Sequence, residues 1–164
     1  MKIGMNFLLW TTDVNKELYP IAERLKETGF DGVEVPIGDE GTHHYRALGQ
    51  KLKELDLGCT CVTSIVEDGN PASSDPTIRA KAVQQMKWRI DMGKELGAEV
   101  ICGPYHSAFA YFSGGPPTAD ERKYSTEVMR KAAEYAGEVG ILLTPEALNR
   151  IECYLYNTLD DISE

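Results

Sequence analysis

Hydrophobic and polar positions along the chain follow one repeating pattern, in which a polar amphipathic segment ends near a glycine and a short apolar run follows. Such segments end at Gly29, Gly58, Gly97 and Gly140. A glycine closes the last turn of a helix in the left-handed conformation at little cost. Short apolar runs with little alternation are typical of strands in a parallel sheet. The pattern therefore predicts repeated helix-then-strand units.

The boundaries of these units follow from caps and periodicity. Asp75 before Pro76 predicts a helix start, and Thr118 with Glu121 three residues later predicts a capping box. Strands are predicted near residues 2–7, 31–36, 58–65, 99–103 and 141–146. Helices are predicted near residues 16–28, 44–56, 76–96 and 119–139, and a further helix begins near Asn157. Because helices and strands alternate with long connections, the fold class is α/β with a parallel sheet.

Two architectures fit this alternation: a doubly wound open sheet, or part of a (β/α)₈ barrel. A complete barrel needs about 250 residues, whereas this chain has 164. No glycine-rich phosphate loop of the GxGxxG type follows the first predicted strand, which weighs against a dinucleotide-binding unit. We expect a single domain over residues 1–164 that forms about five of the eight βα units of a barrel.

Composition narrows the classes of partner and compartment. The net charge of −9 repels phosphate backbones, so we expect no nucleic-acid partner. No apolar run reaches the length of about 20 residues that a membrane span needs, and the first residues lack the features of a signal peptide. We therefore expect a cytoplasmic protein without a membrane partner. The four cysteines lack zinc or CxxC spacing and are expected to be buried free thiols: Cys59, Cys61, Cys102 and Cys153.

Candidate chemistry is expected at the carboxyl ends of the strands and in the loops that follow them. Residues 103–112, after the fourth predicted strand, hold four aromatic rings together with His106. Aromatic faces with a few polar groups suit the C–H faces and hydroxyls of a sugar, although rings such as Phe109 also serve to cap the open end of a barrel. Asn6 and Ser64 follow the first and third strands and are candidates for the same pocket.

Glu146 closes the fifth apolar strand, where a carboxylate must be paired, bound to a metal or functional, because burial of a bare charge is costly. Asn149, Arg150 and Glu152 crowd the same turn. A structural ion pair of Arg150 with Glu146 or Glu152 is the alternative interpretation.

Three further titratable residues lie near predicted strand ends. His43 and His44 are interpreted as loop residues, either on the surface or close to a metal ion. Glu34 alternates with Val33 and Val35, so it either points into the barrel or pairs with a basic neighbour.

Residues Glu146 to Glu152 (EALNRIE) resemble the E-P-L-N-R-F-E type signature of D-tagatose/D-psicose (allulose) 3-epimerases. The resemblance continues over residues 1–5, 29–35, 102–107 and 157–158, in the order of that family. It implies a (β/α)₈ barrel of the xylose-isomerase-like type, of which this chain carries the first five units as a partial barrel.

The resemblance also implies a reaction, namely inversion at C3 of a free ketose such as D-tagatose, D-fructose or D-psicose. Glu146 is the implied catalytic and metal-binding residue, and Mn²⁺ is the expected ion, with Co²⁺ or Mg²⁺ as alternatives. The cation stabilises an enediolate while carboxylates move the C3 proton. Glu152 is implied to contact the sugar's terminal hydroxyl and Phe109 to line the pocket. Asn6 stands where relatives often have an aromatic residue.

In the resembled family, the other metal ligands and the second carboxylate come from strands six to eight, which this chain lacks. We therefore expect the chain to be a fragment of a longer protein, although assembly of two chains would also supply ligands. A homo-oligomer, dimer or tetramer, is expected by resemblance. Two other functions stay open: a hydroxypyruvate-isomerase-like or inosose-dehydratase-like enzyme, and a non-catalytic sugar-binding or assembly module.

Overall fold

The computed structural model describes residues 1–163. Five parallel strands form one sheet in which each strand pairs with the next along the chain. The strands are β1 Gly4–Asn6, β2 Gly32–Pro36, β3 Gly58–Val62, β4 Val100–Gly103 and β5 Leu142–Pro145. This sequential order is that of a barrel wall, because the strand order of a doubly wound sheet reverses part-way. The predicted α/β class and partial barrel are confirmed.

Helices connect the strands and cover one face of the sheet. They are α1 Tyr19–Glu27, α2 Thr42–Glu54, α3 Pro76–Leu96, α4 Ala119–Val139 and α5 Leu159–Ser163. The predicted caps are present: the Asp75 side chain accepts from the Thr77 N–H, and Thr118 forms a capping box with Glu121. None of the helices formed by residues 1–163 has the length and apolar character needed to span a bilayer.

The predicted glycine caps hold for α3 and α4 but not for α2. Gly97 and Gly140 close α3 and α4 with φ of 77° and 82°. At the end of α2, Leu55 is the cap and Asp56 takes the left-handed conformation, with φ of 53°. Asp tolerates this conformation better than most residues, and Lys26 Nζ binds the Asp56 carbonyl oxygen at 2.6 Å. The prediction that Gly58 ends this helix is wrong, since Gly58 begins β3.

Two elements near the N-terminus are shorter than predicted. The Asn6 side chain accepts a hydrogen bond from the Leu8 N–H at 2.7 Å and caps a 3₁₀ helix over Phe7–Leu9, which ends β1 early. Residues Lys16–Leu18 also form a 3₁₀ helix, so α1 begins only at Tyr19. In both places a side-chain cap overrides the periodicity of the apolar residues.

The two faces of the sheet differ in their cover. The outer face packs against the helices, and its core side chains are at most 2% exposed: Val33, Val35, Cys61 and Ile101. The alternate side chains point the other way and define the inner face: Glu34, Thr60, Val62, Val100, Cys102, Leu142 and Thr144. Leu142 is 60% exposed and the rest are half-buried. The inner face is therefore an open trough.

Both edges of the sheet are unpaired within residues 1–163, because β1 pairs only with β2 and β5 only with β4. The backbone N–H groups of Leu142 and Glu146 point toward β4 and donate to the carbonyls of Glu99 and Gly103. In a parallel strand, the backbone nitrogens of successive residues point toward opposite neighbours. The nitrogen of Pro145, which carries no hydrogen, therefore points away from β4 and toward the open edge. Proline is tolerated at such an edge position.

Candidate active site

Glu146 is the first residue after β5 and lies at the carboxyl end of the sheet. Its N–H donates to the Gly103 carbonyl at 2.9 Å, and its own carbonyl lies 3.1 Å from His106 Nε2. The side chain is half-buried. Burial, followed by the charges of Glu34 and Glu152, raises the pKa of the Glu146 carboxyl above its ordinary value. Glu146 therefore holds a proton more readily than an exposed glutamate does.

Glu34 points into the barrel and is fixed there by side chains from two neighbouring strands. Asn6 Nδ2 donates to Glu34 Oε1 at 2.7 Å, and Thr60 Oγ1 donates to Glu34 Oε2 at 3.3 Å. Of the two interpretations open from the sequence, the structure therefore favours the inward orientation. Asn6 sits in this polar row and lines the open trough together with Glu34 and Thr60.

His106 lies beneath the site and is fully buried. Its ring packs against Tyr156 with centroids 4.8 Å apart, and its carbonyl accepts from Ser125 Oγ at 2.6 Å. Burial lowers the pKa of His106 to about 4, against the opposing effect of its hydrogen bond to the Glu146 backbone. The imidazole is therefore neutral at pH 7 and contacts other protein groups. A sugar could contact it only if the residues that bury it moved.

Glu152 links the loops that follow β4 and β5. The Asn149 side-chain amide donates to the Glu152 carboxylate, and the Glu152 carbonyl accepts from the Ala110 N–H at 2.9 Å. The carboxylate of Glu152 is thus held by Asn149, whereas the sequence had also allowed an ion pair with Arg150. Its charge, after burial and the charge of Glu34, contributes to the raised pKa of Glu146.

Phe109 and Ser64 are brought together by pairing between two loops. The Phe109 N–H donates to the Ile65 carbonyl at 2.8 Å, and Ile65 forms an isolated bridge with Ala108. Ser64 is half-buried beside this bridge, and Phe109 is 41% exposed. Both predicted residues therefore lie at the same end of the sheet as Glu146.

Exposed apolar side chains concentrate in the loops at this end. We call this set the apolar rim: Leu8, Leu9, Trp10, Val66, Phe109, Phe112 and Ile151. These residues follow β1, β3, β4 and β5, so they lie at the same end of the sheet as Glu146. The loop after β4 was predicted from its aromatic residues, whereas Leu9 and Trp10 were not; their signal is an uninterrupted apolar run directly after a strand.

Comparison with known proteins agrees with the fold of a partial barrel. Residues 22–164 match the family model of the xylose isomerase-like TIM barrel. The chain belongs to this family. Among curated relatives, an L-ribulose 3-epimerase of Mesorhizobium japonicum is 28% identical over 158 residues, covering 96% of this chain and 53% of that protein. A ketose 3-epimerase of Arthrobacter globiformis is 28% identical over 159 residues, covering 96% and 55%.

Solved structures of epimerases share the fold. A structure of L-ribulose 3-epimerase superposes with a TM-score of 0.87 at 24% identity, over 100% of this chain and 58% of that one. A D-psicose 3-epimerase crystallised in the presence of D-fructose gives 0.86 at 24% identity, over 98% and 57%. The chain therefore spans little more than half the length of these members of the xylose isomerase-like family. The family resemblance found in the sequence is confirmed.

The partial barrel does not by itself assemble a metal centre. Within residues 1–163 no three His, Cys, Asp or Glu side chains come together to hold an ion. His43 and His44 lie in the first turn of α2 rather than in a loop, because α2 begins at Thr42. His44 Nε2 lies 3.0 Å from Asp13 Oδ1. Glu146, the predicted metal-binding residue, lies directly after β5 at the carboxyl end of the sheet.

The four cysteines divide between the two faces of the barrel wall and the loops. All are free thiols. Cys61 and Cys153 are buried as expected, whereas Cys59 and Cys102 are half-buried. Cys102 lies on the open inner face beside Thr144, which explains why the expected burial is incomplete there.

Proposed function

We propose that this chain supplies Glu146 as the catalytic carboxylate of a ketose 3-epimerase, which inverts C3 of a free ketose. The observation that carries the proposal is the place of Glu146: it directly follows β5, at the end of the sheet where the apolar rim lies. The curated relatives named as L-ribulose and ketose 3-epimerases support the choice of reaction and substrate class.

The chemistry assigned to Glu146 is transfer of the C3 proton. This proton is only weakly acidic, although it lies beside the C2 carbonyl, and it needs a base whose pKa approaches the working pH. Burial and the charges of Glu34 and Glu152 raise the pKa of Glu146 in that direction. Glu146 in its ionised form removes the proton from one face of the sugar and then holds it.

Substrate binding is assigned to the residues around the mouth. Glu152 accepts hydrogen bonds from a sugar hydroxyl, and Phe109 with its neighbours in the apolar rim covers the C–H face of the sugar. Ser64, at the same end of the sheet, is placed to bond a hydroxyl. Asn6 orients Glu34 at the base of the trough, and His106 supports Glu146 from below.

A divalent cation, with Mn²⁺ favoured over Co²⁺ or Mg²⁺, would supply positive charge to the sugar oxygens when bound. Carboxylate oxygens suit such ions, so Glu146 fits as one ligand. The described residues do not complete the ligand set. The second carboxylate and the remaining ligands are therefore assigned to further barrel strands. A homo-oligomer in the cytoplasm is part of the same proposal.

The test is conversion of ketoses by two forms of the protein in the presence of Mn²⁺. One form is the chain itself at several concentrations, and the other is the chain joined to strands six to eight of the Arthrobacter globiformis relative. D-Fructose, D-psicose, D-tagatose and L-ribulose are the substrates. We expect C3 epimerisation by the completed barrel and a loss of at least about 100-fold in the Glu146→Gln variant.

Controls separate this function from its alternatives. The Glu99→Gln variant removes a carboxylate at the opposite end of the sheet and should leave turnover unchanged. Isomerisation of hydroxypyruvate without ketose turnover would support the other enzyme class. Sugar binding that EDTA does not alter, without any turnover, would indicate a non-catalytic module. Either of these results, or full activity in Glu146→Gln, would overturn the proposal.

A further inference from the structure

The pairing of β4 with β5 has an unusual final hydrogen bond. Along this pair, the Leu142 N–H donates to the Glu99 carbonyl at 3.0 Å and the Glu146 N–H donates to the Gly103 carbonyl at 2.9 Å. In a parallel ladder that continued regularly, the next bond would run from the backbone N–H of residue 105 to the Glu146 carbonyl. The structure instead places His106 Nε2 at 3.1 Å from that carbonyl.

The reason for this exchange lies at Gly103, where β4 ends. Gly103 has a φ of 139°, and a Cβ there would lie 1.9 Å from the Thr63 carbonyl oxygen. At this glycine the backbone leaves the extended conformation of β4. The imidazole of His106, three residues later, lies within hydrogen-bond distance of the Glu146 carbonyl, where a regular ladder would place a backbone N–H.

The imidazole is itself held firmly. His106 is fully buried, its ring lies against Tyr156, and the Ser125 hydroxyl donates to its carbonyl at 2.6 Å. Tyr156, from the segment before α5, contacts the ring, whereas Ser125 of α4 holds the backbone carbonyl. Both polar groups of the Glu146 backbone are consequently bonded: the N–H to Gly103 and the carbonyl to His106.

We propose that His106 is a positioning residue for Glu146, in which the Nε2–H extends the β4–β5 ladder by one bond. This bond fixes the peptide between Glu146 and Ala147, and thereby the direction in which the Glu146 side chain leaves the barrel wall. The catalytic value of this direction rests on the proposed function, whereas the hydrogen bond does not. The neutral ring must then carry its proton on Nε2, which leaves Nδ1 as an acceptor; Nδ1 is buried without a partner among residues 1–163.

The test begins with the ring proton and needs neither sugar nor metal. In the chain with ¹⁵N-labelled histidine, long-range ¹⁵N–¹H spectra at pH 7 should show His106 as the neutral Nε2–H tautomer. The order of the Glu146–Ala147 peptide is then read from ¹⁵N relaxation at the Ala147 amide. We expect His106→Leu to lower this order parameter, and His106→Gln, whose side-chain amide can donate from a similar position, to retain it. Ser125→Ala is the matched control, since it removes a bond to the His106 carbonyl and keeps the imidazole donor.

An Nδ1–H tautomer, or an unchanged Ala147 order parameter in a folded His106→Leu variant, would overturn the proposal. If His106→Leu does not fold, the tautomer of His106 and the His106→Gln variant test the proposal. A lower Ala147 order parameter in a folded His106→Gln variant would then count against the proposal. In the completed, active barrel, His106→Leu should lower kcat by about 10- to 100-fold with KM changed by less than about twofold, and His106→Gln should restore most of it. A completed barrel without epimerase activity would overturn the proposed function and leave the tautomer and order results to judge His106.

Discussion

The two faces of the sheet offer the clearest contrast in the molecule. On the outer face, Val35, Cys61 and Ile101 are fully buried beneath the helices. On the inner face, Glu34 and Thr60 are half-buried and bonded mainly to each other and to Asn6. The outer face is a packed core, whereas the inner face has polar contacts within one layer and, among residues 1–163, no layer opposite it.

This difference separates stability from function. The residues that drive folding of the described chain lie between the sheet and the helices, because burial of apolar area is the main favourable contribution to folding. The residues proposed for chemistry lie on the inner face or at its carboxyl end, where the side chains are only half-buried. Changes on the two faces should therefore have separable effects.

The largest expected effect is on stability, from truncation of matched apolar residues on opposite faces. Ile101→Ala on the outer face should lower the free energy of unfolding by about 2–5 kcal/mol, because it leaves a cavity in a packed core. Leu142→Ala on the inner face should lower it by less than about 0.5 kcal/mol, because this side chain is already 60% exposed. Urea unfolding of the chain measures both. Equal effects would mean that the inner face is covered in solution.

A smaller loss of stability is expected from the glycine at which β4 turns. Gly103→Ala should cost about 3 kcal/mol, at the upper end for backbone strain, because its Cβ would meet the Thr63 carbonyl at 1.9 Å. Gly140→Ala is the matched control: it shares a positive φ but has nothing within 4 Å of the added Cβ. Its cost should be about 1–2 kcal/mol. Thermal unfolding of the two variants side by side measures both costs. Equal costs would contradict the close contact at Gly103.

On the inner face, removal of the Glu34 charge should change the pKa of Glu146. Burial is the first cause of the raised pKa of Glu146, and the charge of Glu34 is the second. Glu34→Gln should therefore lower the Glu146 pKa without returning it fully to its ordinary value. Because folding favours the protonated form of Glu146, wild-type stability falls as pH rises through the raised pKa, and the variant should weaken this slope.

The carboxyl ¹³C shift of Glu146 during a pH titration measures the effect. Glu99→Gln, far from the mouth, is the control and should leave the Glu146 pKa unchanged. A Glu146 pKa that rises in Glu34→Gln would contradict the placement of the two carboxylates on one open face.

The smallest effect is expected away from both faces, at the start of α5. Bonds from the Asn157 N–H, the Thr158 hydroxyl and Arg122 lower the pKa of Asp161 to about 2. A lowered carboxyl pKa stabilises the fold above the unfolded value near 3.9, and this contribution is lost as pH falls toward 2. Asp161→Asn should flatten the acid limb of stability between about pH 4 and pH 2. Unfolding midpoints measured over that pH range test the prediction. An unchanged dependence of stability on pH would show that these hydrogen bonds do not persist in solution.

Much of the fold could be predicted from local signals in the sequence. The caps at Asp75 and Thr118 and the glycines after α3 and α4 act within a few residues, so their positions were correct. The left-handed Asp56 was missed because it depends on Lys26, a residue 30 positions away that binds its carbonyl. The first strand was predicted too long because Asn6 caps a 3₁₀ helix within an apolar run that also fits a strand.

The site could be predicted only in outline, for the same reason. Glu146, Glu152 and Phe109 could be selected as candidates because they stand in loops after strands or in a recognisable signature. The inward direction of Glu34 requires the register that pairs it with Asn6 and Thr60, and no local pattern fixes that register. The bond from His106 to the Glu146 carbonyl spans 40 residues and depends on the turn at Gly103. Sequence spacing identified these residue types but could not assign their partners.

The most direct test of the central claim, that Glu146 moves the C3 proton of a ketose, is incorporation of deuterium. The completed barrel and its Glu146→Gln variant would be incubated with D-fructose and Mn²⁺ in D₂O, and the carbon that gains deuterium would be located by NMR. The account predicts deuterium at C3 of the epimerised sugar with the unchanged protein, and none above background with the variant. Deuterium at C1 instead of C3, or equal incorporation by both proteins, would contradict it.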